Sequence, residues 1–386
     1  MVHGEMLTFY TAGESHGRGV FAFLDGVPAG LEIKRDLIDA DLARRQMGYG
    51  RGGRMRIEQD TVDCLSGVRG SVTLGSPIVL AVWNKDFENW RSFMDPWKIE
   101  AGKELYTPRP GHADLAGAVR FGHKDLRNVL ERASARETAG RVAAGGVLRC
   151  FLKALGVEVI SWVTQIGEVR YEGGYDRERC AASSVFCPDH ETTRKMEQAI
   201  DAVMESGDTL GGEFTLEMRG LPAGIGSYTQ WDQRLDTMVA GHLMSIPAIK
   251  AVQIGLGTAS AATPGSRLHD AILPGGMRGS NNAGGMRGSN NAGGMEGGVS
   301  NGEAITVTCT MKPIPTLLKG LPSIDIRDGS EASATYERSD YCAVPAASVV
   351  GEAMLMIAVA KAILQSFPRP SMSALLAAFD QHRSRR

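Results

Sequence analysis

Two histidines sit in short polar turns flanked by glycine: His16 in Gly13-Glu-Ser-His-Gly17, and His112 in Arg109-Pro-Gly-His-Ala-Asp114. Taken singly, each reads first as a hydrogen-bonded loop residue. Imidazole changes charge near neutral pH, so two such turns beside an anion-binding loop point to proton transfer. That loop spans Arg44 to Arg56, where Arg44, Arg45, Arg51, Arg54 and Arg56 alternate with Gly48, Gly50, Gly52 and Gly53. Guanidinium forks match phosphate and carboxylate, and glycines let backbone amides approach the same ligand. A solvated basic loop is the other reading; four glycines favour a shaped cradle for a small polyanion.

Further candidates lie downstream. In Glu131-Arg-Ala-Ser-Ala-Arg-Glu137, Arg132 and Arg136 stand one helical turn apart, either as anion ligands or as a salt-bridged face with Glu131 and Glu137. Glu337-Arg-Ser-Asp340 sets carboxylates beside a guanidinium, and Lys312-Pro-Ile-Pro-Thr316 is a rigid extended segment carrying one cation. Gly48-Tyr-Gly-Arg-Gly-Gly53 satisfies the dinucleotide pattern G-x-G-x-x-G. That pattern works between a strand and a helix N-terminus, whereas here a helix precedes and a strand-like run follows, which excludes it. No H-x-x-x-H or Cys/His cluster supports a metal site.

The elements that must position these residues mix strands and helices without a βαβ beat, which favours an α+β fold. Strands are expected at Leu7 to Thr11, Val20 to Leu24, Met55 to Leu65, Ile78 to Trp83, and near Glu213 to Met218, Val252 to Leu256 and Ala304 to Met311. Helices are expected from an Asp36 cap to about Gln46, over Glu191 to Met204, over Asp232 to Met244, and over the near-continuous apolar run Ala346 to Leu364. Asp125 to Leu155 reads as the longest helical stretch, weakened by Gly140, Gly145 and Gly146. Gly275-Gly-Met-Arg-Gly-Ser-Asn-Asn-Ala283 recurs unchanged at Gly284 to Ala292. Nine residues are too few for a solenoid unit, so this is a tandem duplication inside a glycine-rich loop.

Bulk properties set the limits. Of 386 residues, 43% are apolar and 22% charged, ordinary for a globular protein with ample core. A net charge of −2 argues against nucleic acid as a partner. Six scattered cysteines without a C-x-x-C pair read as reduced thiols. Met1 to Tyr10 lacks signal-peptide features, and Ala353 to Leu364 is too short and too interrupted by Lys361 to span a bilayer, so a cytoplasmic protein with no membrane partner is expected.

Over essentially its whole length the chain resembles the chorismate synthase family. The resemblance rests on the motifs around His16, Arg44 to Met55, Arg109 to Asp114 and Glu131 to Thr138. It continues in Gly226-Ser-Tyr-Thr-Gln-Trp-Asp232, Ser289-Asn-Asn-Ala-Gly-Gly-Met-Glu-Gly-Gly298, Lys312 to Thr316 and Glu337 to Asp340, in the family's order. It implies a single large domain over residues 1–386, an α+β, β-α-β sandwich, assembled as a homotetramer. It implies elimination of phosphate from 5-enolpyruvylshikimate 3-phosphate to chorismate with reduced FMN, the flavin being reduced either by NADPH on the enzyme or by an external flavin reductase. His16, His112 and Asp340 are then catalytic: His16 as an acid near the substrate phosphate, His112 and Asp340 toward N1 and N5 of the flavin. Ser15, Arg45, Arg51, Arg109 and Arg136 would bind substrate, with Arg45 and Arg51 also assigned to NADPH. FMN contacts would fall at Arg132, Ala133, Ser134, Pro247, Ala248, Gly297, Lys312, Pro313, Ile314, Pro315, Thr316 and Arg338.

Two departures from the family stand out. Tyr341 follows Asp340 where the family usually has proline, which predicts a looser Asp340. The duplication adds nine residues, and aligning the distal copy leaves the proximal one to bulge into solvent. Two other functions fit the same motifs, a flavin:NADPH oxidoreductase and a non-catalytic phosphometabolite-binding protein.

Overall fold

In a computed structural model the described residues are 7–52, 59–98, 100–273, 287–337, 340–367 and 370–384. Strand alternation builds the first sheet. In Gly19–Asp25, Val20, Ala22 and Leu24 point inward while Phe23 faces out, and Val20 lies opposite Val82 of Ile78–Trp83. Thr8–Ala12 flanks one side and Asp63–Ser66 the other, giving four antiparallel strands.

A second antiparallel sheet orders Ile249–Ile254, Ile305–Met311, Gly212–Arg219, Glu158–Ile166 and the short Val169–Arg170. Ile305, Val307, Cys309 and Met311 supply its inner face, alternating with half-buried threonines. Glu158–Ile166 was not expected. Its middle, Val159 to Val163, is buried without interruption, so it lacks the alternation that marks a one-sided strand.

Helices fill the space between the sheets. Thr138–Ala154 packs on Gly19–Asp25 and Ile78–Trp83, and Val344–Ser366 packs on Glu158–Ile166 and Gly212–Arg219. The two helices touch closely where a Cβ on Gly145 would lie 2.4 Å from the Ala353 Cβ. The glycines that lower helix propensity are therefore what lets the layers meet. Arg35–Gln46 and Leu235–Met244 complete the layer. The result is a sheet–helix–sheet sandwich around one apolar cluster running from Leu7 to Phe379.

Three expectations change. Val344–Ser366, not Asp125 to Leu155, is the longest helix; it is long and apolar enough to cross a membrane, but 94% of its most apolar window is buried inside the fold. The 125–155 stretch breaks at Ser134, which is extended (φ −64, ψ 142) and caps a 3-10 turn by accepting from the Arg136 N–H. Asp36 lies in the first turn of Arg35–Gln46, whose N-cap is Lys34 with no side-chain cap bond. C-terminal helix Met372–Arg383 was also not expected. Residues 53–58, part of the expected Met55 to Leu65 strand together with Arg54 and Arg56, lie outside the described residues.

Candidate active site

A cavity of about 760 Å³ opens between the edge of the helical layer and the loops above it. Its size suits a cofactor together with a small substrate.

The first wall is the turn between the first two strands. Gly13 takes φ +98, and a Cβ there would meet the Gly19 carbonyl at 2.2 Å. Asn84 Nδ2 donates to the carbonyls of Glu14, Ser15 and Gly17 at 3.2, 3.2 and 2.8 Å, fixing the turn from below. His16 Nδ1 lies 2.8 Å from Glu131 Oε1, and the His16 N–H donates to Oε2 at 2.7 Å. Trp90 stacks on the imidazole with ring centroids 4.0 Å apart. Burial pushes the Glu131 carboxyl up, but its bonds to His16 and the nearby Arg127 outweigh that and hold it below the usual carboxylate range. Ser15 Oγ donates to Ser134 Oγ at 3.0 Å.

The second histidine repeats the arrangement. His112 Nδ1 lies 2.6 Å from Asp114 Oδ1, and Arg109 grips the same carboxylate through Nε at 2.8 Å and Nη2 at 3.1 Å. Burial works against ionisation of Asp114, yet the His112 and Arg109 bonds hold it well below the usual range. Arg109 Nη1 also donates to Thr316 Oγ1 at 3.0 Å.

The cationic floor is paired internally. Arg45 and Arg136 both reach the fully buried Asp60, at 2.7 and 2.6 Å. Burial pushes Asp60 up, and the two guanidiniums reverse the shift. Arg45 Nε is buried with no acceptor among the described residues, an unanswered donor that suits an anionic ligand. Arg51 Nη1 meets Asp340 Oδ2 at 2.8 Å, while the Gly52 N–H donates to Oδ1 at 2.7 Å.

The cavity is also lined by the apolar residues Ile246, Pro247, Ala248, Ile314, Pro315, Ala346, Ala347 and Val350. Ala248 holds φ +68, a strained conformation for alanine that is common at ligand sites, and its carbonyl accepts from the Lys312 N–H. Lys312 Nζ donates to the Gly111 carbonyl at 2.5 Å, bringing its cation to the cavity rim. Apolar side chains share the cavity with cations, histidines and an orphan donor, so the residues fit a flat, anionic cofactor such as FMN.

The structure brings Ser15, His16, Arg45, Arg51, Arg109, His112, Ala133, Ser134, Arg136, Pro247, Ala248, Lys312, Ile314, Pro315, Thr316 and Asp340 to this one cavity. It does not bring Arg132, Gly297 or Pro313 there. The break at Ser134 removes Arg132 from the face of Arg136. Arg132 instead donates to the carbonyls of Thr11 and Gly13. The expected ion pairs also shift, to Arg127–Glu131 and Arg141–Glu137. Gly297 turns a small hairpin between Met295–Glu296 and Val299–Ser300. Arg338 and the proximal repeat copy, residues 275–283, lie outside the described residues. In the distal copy, Ser289 Oγ and the N–H groups of Asn291 and Ala292 donate to Asp270, and Arg287 pairs with Glu296. Tyr341 is tied on both sides: its N–H donates to the Gly50 carbonyl and its carbonyl accepts from Leu210. Proline has no N–H for the first of these bonds, so a different restraint holds the Asp340 segment here.

Sequence reasoning missed Asp60, Asn84, Trp90 and the roles of Glu131 and Asp114. Asp114 stands two residues beyond His112 and Glu131 opens a quoted motif, so both were in view. Asp60 and Asn84 carried no local signal.

A sandwich that gathers two imidazole–carboxylate pairs and four arginines on one cavity is built as an enzyme for a small anion. The comparisons agree. A family model described as chorismate synthase matches residues 7–364. Chorismate synthase of Desulforudis audaxviator (strain MP104C) is 52% identical over 98% of this chain and 97% of its own, and that of Moorella thermoacetica (strain ATCC 39073 / JCM 9320) is 49% identical over 98% and 99%. A crystal structure of chorismate synthase matches with a TM-score of 0.77 at 38% identity, covering 97% of each chain. The chain belongs to the chorismate synthase family. It is a chorismate-forming lyase of aromatic amino acid biosynthesis.

Proposed function

We propose that the chain forms chorismate by a 1,4-elimination of phosphate from 5-enolpyruvylshikimate 3-phosphate with reduced FMN bound in the cavity. The observation that carries this reading is the pairing of His16 and His112 with ionised carboxylates across a floor of arginines. When bound, the electron-rich reduced flavin supplies transient electron density for cleavage of the carbon–oxygen bond.

The chain's residues do the rest. Arg45 and Arg136 bring two positive charges against the single negative charge of Asp60, which leaves net attraction for the departing phosphate. His16 donates a proton to that phosphate, and Ser15 and Ser134 orient its oxygens. His112, held by Asp114, keeps a second proton at the cavity. Asp340, tethered by Arg51 and the Gly52 N–H, stands at the cavity as the acceptor side of proton removal. Ile314, Pro315, Ala346 and Val350 exclude water and so strengthen each of these interactions.

Anaerobic incubation with chemically reduced FMN should release phosphate and chorismate in equal amounts. No turnover under those conditions would sink the reading. Steady NADPH oxidation without the phosphorylated substrate would indicate an oxidoreductase instead. Comparing NADPH as sole reductant with chemically reduced FMN separates self-reduction from dependence on an external reductase.

A further inference from the structure

Glu131 makes contacts that a simple loop latch would not need. The Ser15 N–H donates to its carbonyl at 2.9 Å, which already docks the Gly13 to Gly17 turn on helix Arg127–Ala133. Its carboxylate then turns both oxygens to one residue, Oε2 to the His16 N–H and Oε1 to His16 Nδ1. The carboxylate is buried and ionised, with Arg127 Nη1 3.3 Å from Oε1, so it accepts hydrogen bonds and donates none.

We infer that Glu131 is the positioning residue for His16, holding a proton on Nδ1 and leaving Nε2 as the only ring atom that exchanges a proton with a ligand. Ring rotation is blocked as well. A flipped imidazole would set a C–H against Oε1, and Trp90 covers one face at 4.0 Å. Lys103 Nζ and the Arg127 guanidinium lie 4.9 and 5.0 Å from the Trp90 ring centroid, which holds that indole in place. Arg127 Nη2 also reaches Glu337, which lines the cavity, at 3.0 Å, so the clamp is braced from a second segment of the chain. A ring fixed in this way presents Nε2 in one direction, as an acceptor in the neutral ring and a donor once the ring is protonated, as in a serine protease triad, where a buried carboxylate sets the histidine tautomer.

The inference rests on the lyase reading for its chemical meaning, but its first test does not. Nitrogen NMR of the full chain labelled with 15N-histidine, with His16 assigned by loss of its signals in His16→Asn, should show the neutral ring protonated at Nδ1. A neutral ring protonated at Nε2 in the parent protein would overturn the inference without any variant of Glu131. In Glu131→Gln the side-chain amide offers both a donor and an acceptor, so mixed tautomers are expected. Turnover number should then fall by about 10²–10⁴-fold, the range for a misplaced or mis-tautomerised acid–base group, while KM for the phosphorylated substrate changes little. An unchanged tautomer, or a changed tautomer with full turnover, would each overturn the inference. No chorismate from the parent protein alongside a clear Nδ1–H signal would sink the lyase reading and leave the clamp standing.

Discussion

Arg136 closes two bonds on the buried carboxylate of Asp60, Nη1 lying 2.6 Å from Oδ1 and 2.8 Å from Oδ2. The same carboxylate takes Arg45 Nη2 at 2.7 Å, and Arg136 Nε donates to Asn84 Oδ1 at 2.7 Å. Asn84 in turn holds the His16 turn through three carbonyls. One anion thus sets the geometry of two cations, and through Asn84 links them to the turn that carries His16. The cations are held in place by contacts within the fold itself, the kind of preorganisation that electrostatic catalysis uses.

Asp60→Asn should expose how much the cradle depends on that anion. Two guanidiniums would be left buried without a counter-ion, a loss of about 3–5 kcal/mol for a broken buried pair. Inorganic phosphate, filling the role of the missing carboxylate, should then raise the melting temperature of the variant more than that of the parent. Thermal unfolding with and without phosphate decides it; equal responses in the two proteins would show that the arginines do not act as a shared anion site.

His112→Ala should lower turnover by about 10²–10⁴-fold, the usual contribution of a positioned acid–base group. Folding should survive, because Asp114 keeps its three bonds from Arg109 when the imidazole is gone. Steady-state kinetics beside a circular dichroism melt separates the two effects. Normal turnover in a folded variant would remove His112 from the reaction.

The legible part of this protein was local. The turns around His16 and His112 are written in a few consecutive residues, and so are the strand Ile78–Trp83 and the amphipathic helix His190–Ser206. The break at Ser134 was not legible, because Glu131 to Glu137 has good helix formers on both sides and only tertiary contacts favour the extended serine. Asp60 was equally hidden: one aspartate inside an expected strand becomes the hub of the floor only when the fold brings Arg45 and Arg136 to it. Glycines 140, 145 and 146 read as helix weaknesses in isolation, and the packing reverses their meaning. Arg44 looked like part of the cradle's charge, yet it pairs with Glu352 and Asp41 in a half-buried ion-pair network away from the cavity.

That network predicts acid sensitivity. Glu352 takes Arg44 at 2.8 Å, Arg149 at 2.6 Å and the Ser161 hydroxyl at 2.6 Å, joining both long helices, Arg35–Gln46 and the second sheet. Burial pushes its carboxyl up, but the two arginines win and hold it well below its ordinary value of 4.5. A group with a depressed folded pKa contributes stability that is fully present above the unfolded value and is lost as pH falls toward the folded one. Stability should therefore decline from about pH 4.5 downward, and Glu352→Gln should flatten that slope while lowering stability at pH 7 by about 3–5 kcal/mol. Urea unfolding at a series of pH values measures both; an unaltered slope in the variant would assign the acid transition to other carboxylates.

Gly145→Ala sets two effects against each other. Helix propensity alone favours alanine by about 1 kcal/mol. A Cβ at this position, however, would lie 2.4 Å from the Ala353 Cβ and 2.7 Å from its Cα, and a backbone atom cannot rotate away as a side-chain tip does. Helix Val344–Ser366 must move, against overpacking costs of about 1–3 kcal/mol. The shift would reach the cavity, since Ala346, Ala347 and Val350 on the same helix line it. The variant should melt lower and, on the proposed FMN-dependent reading, bind FMN more weakly. Ala353→Gly in the same chain should recover part of both losses by removing the Cβ on the other side, and a double-mutant cycle on melting temperature and FMN affinity measures the coupling. Additive effects of the two substitutions would mean that the helices separate at this crossing without strain.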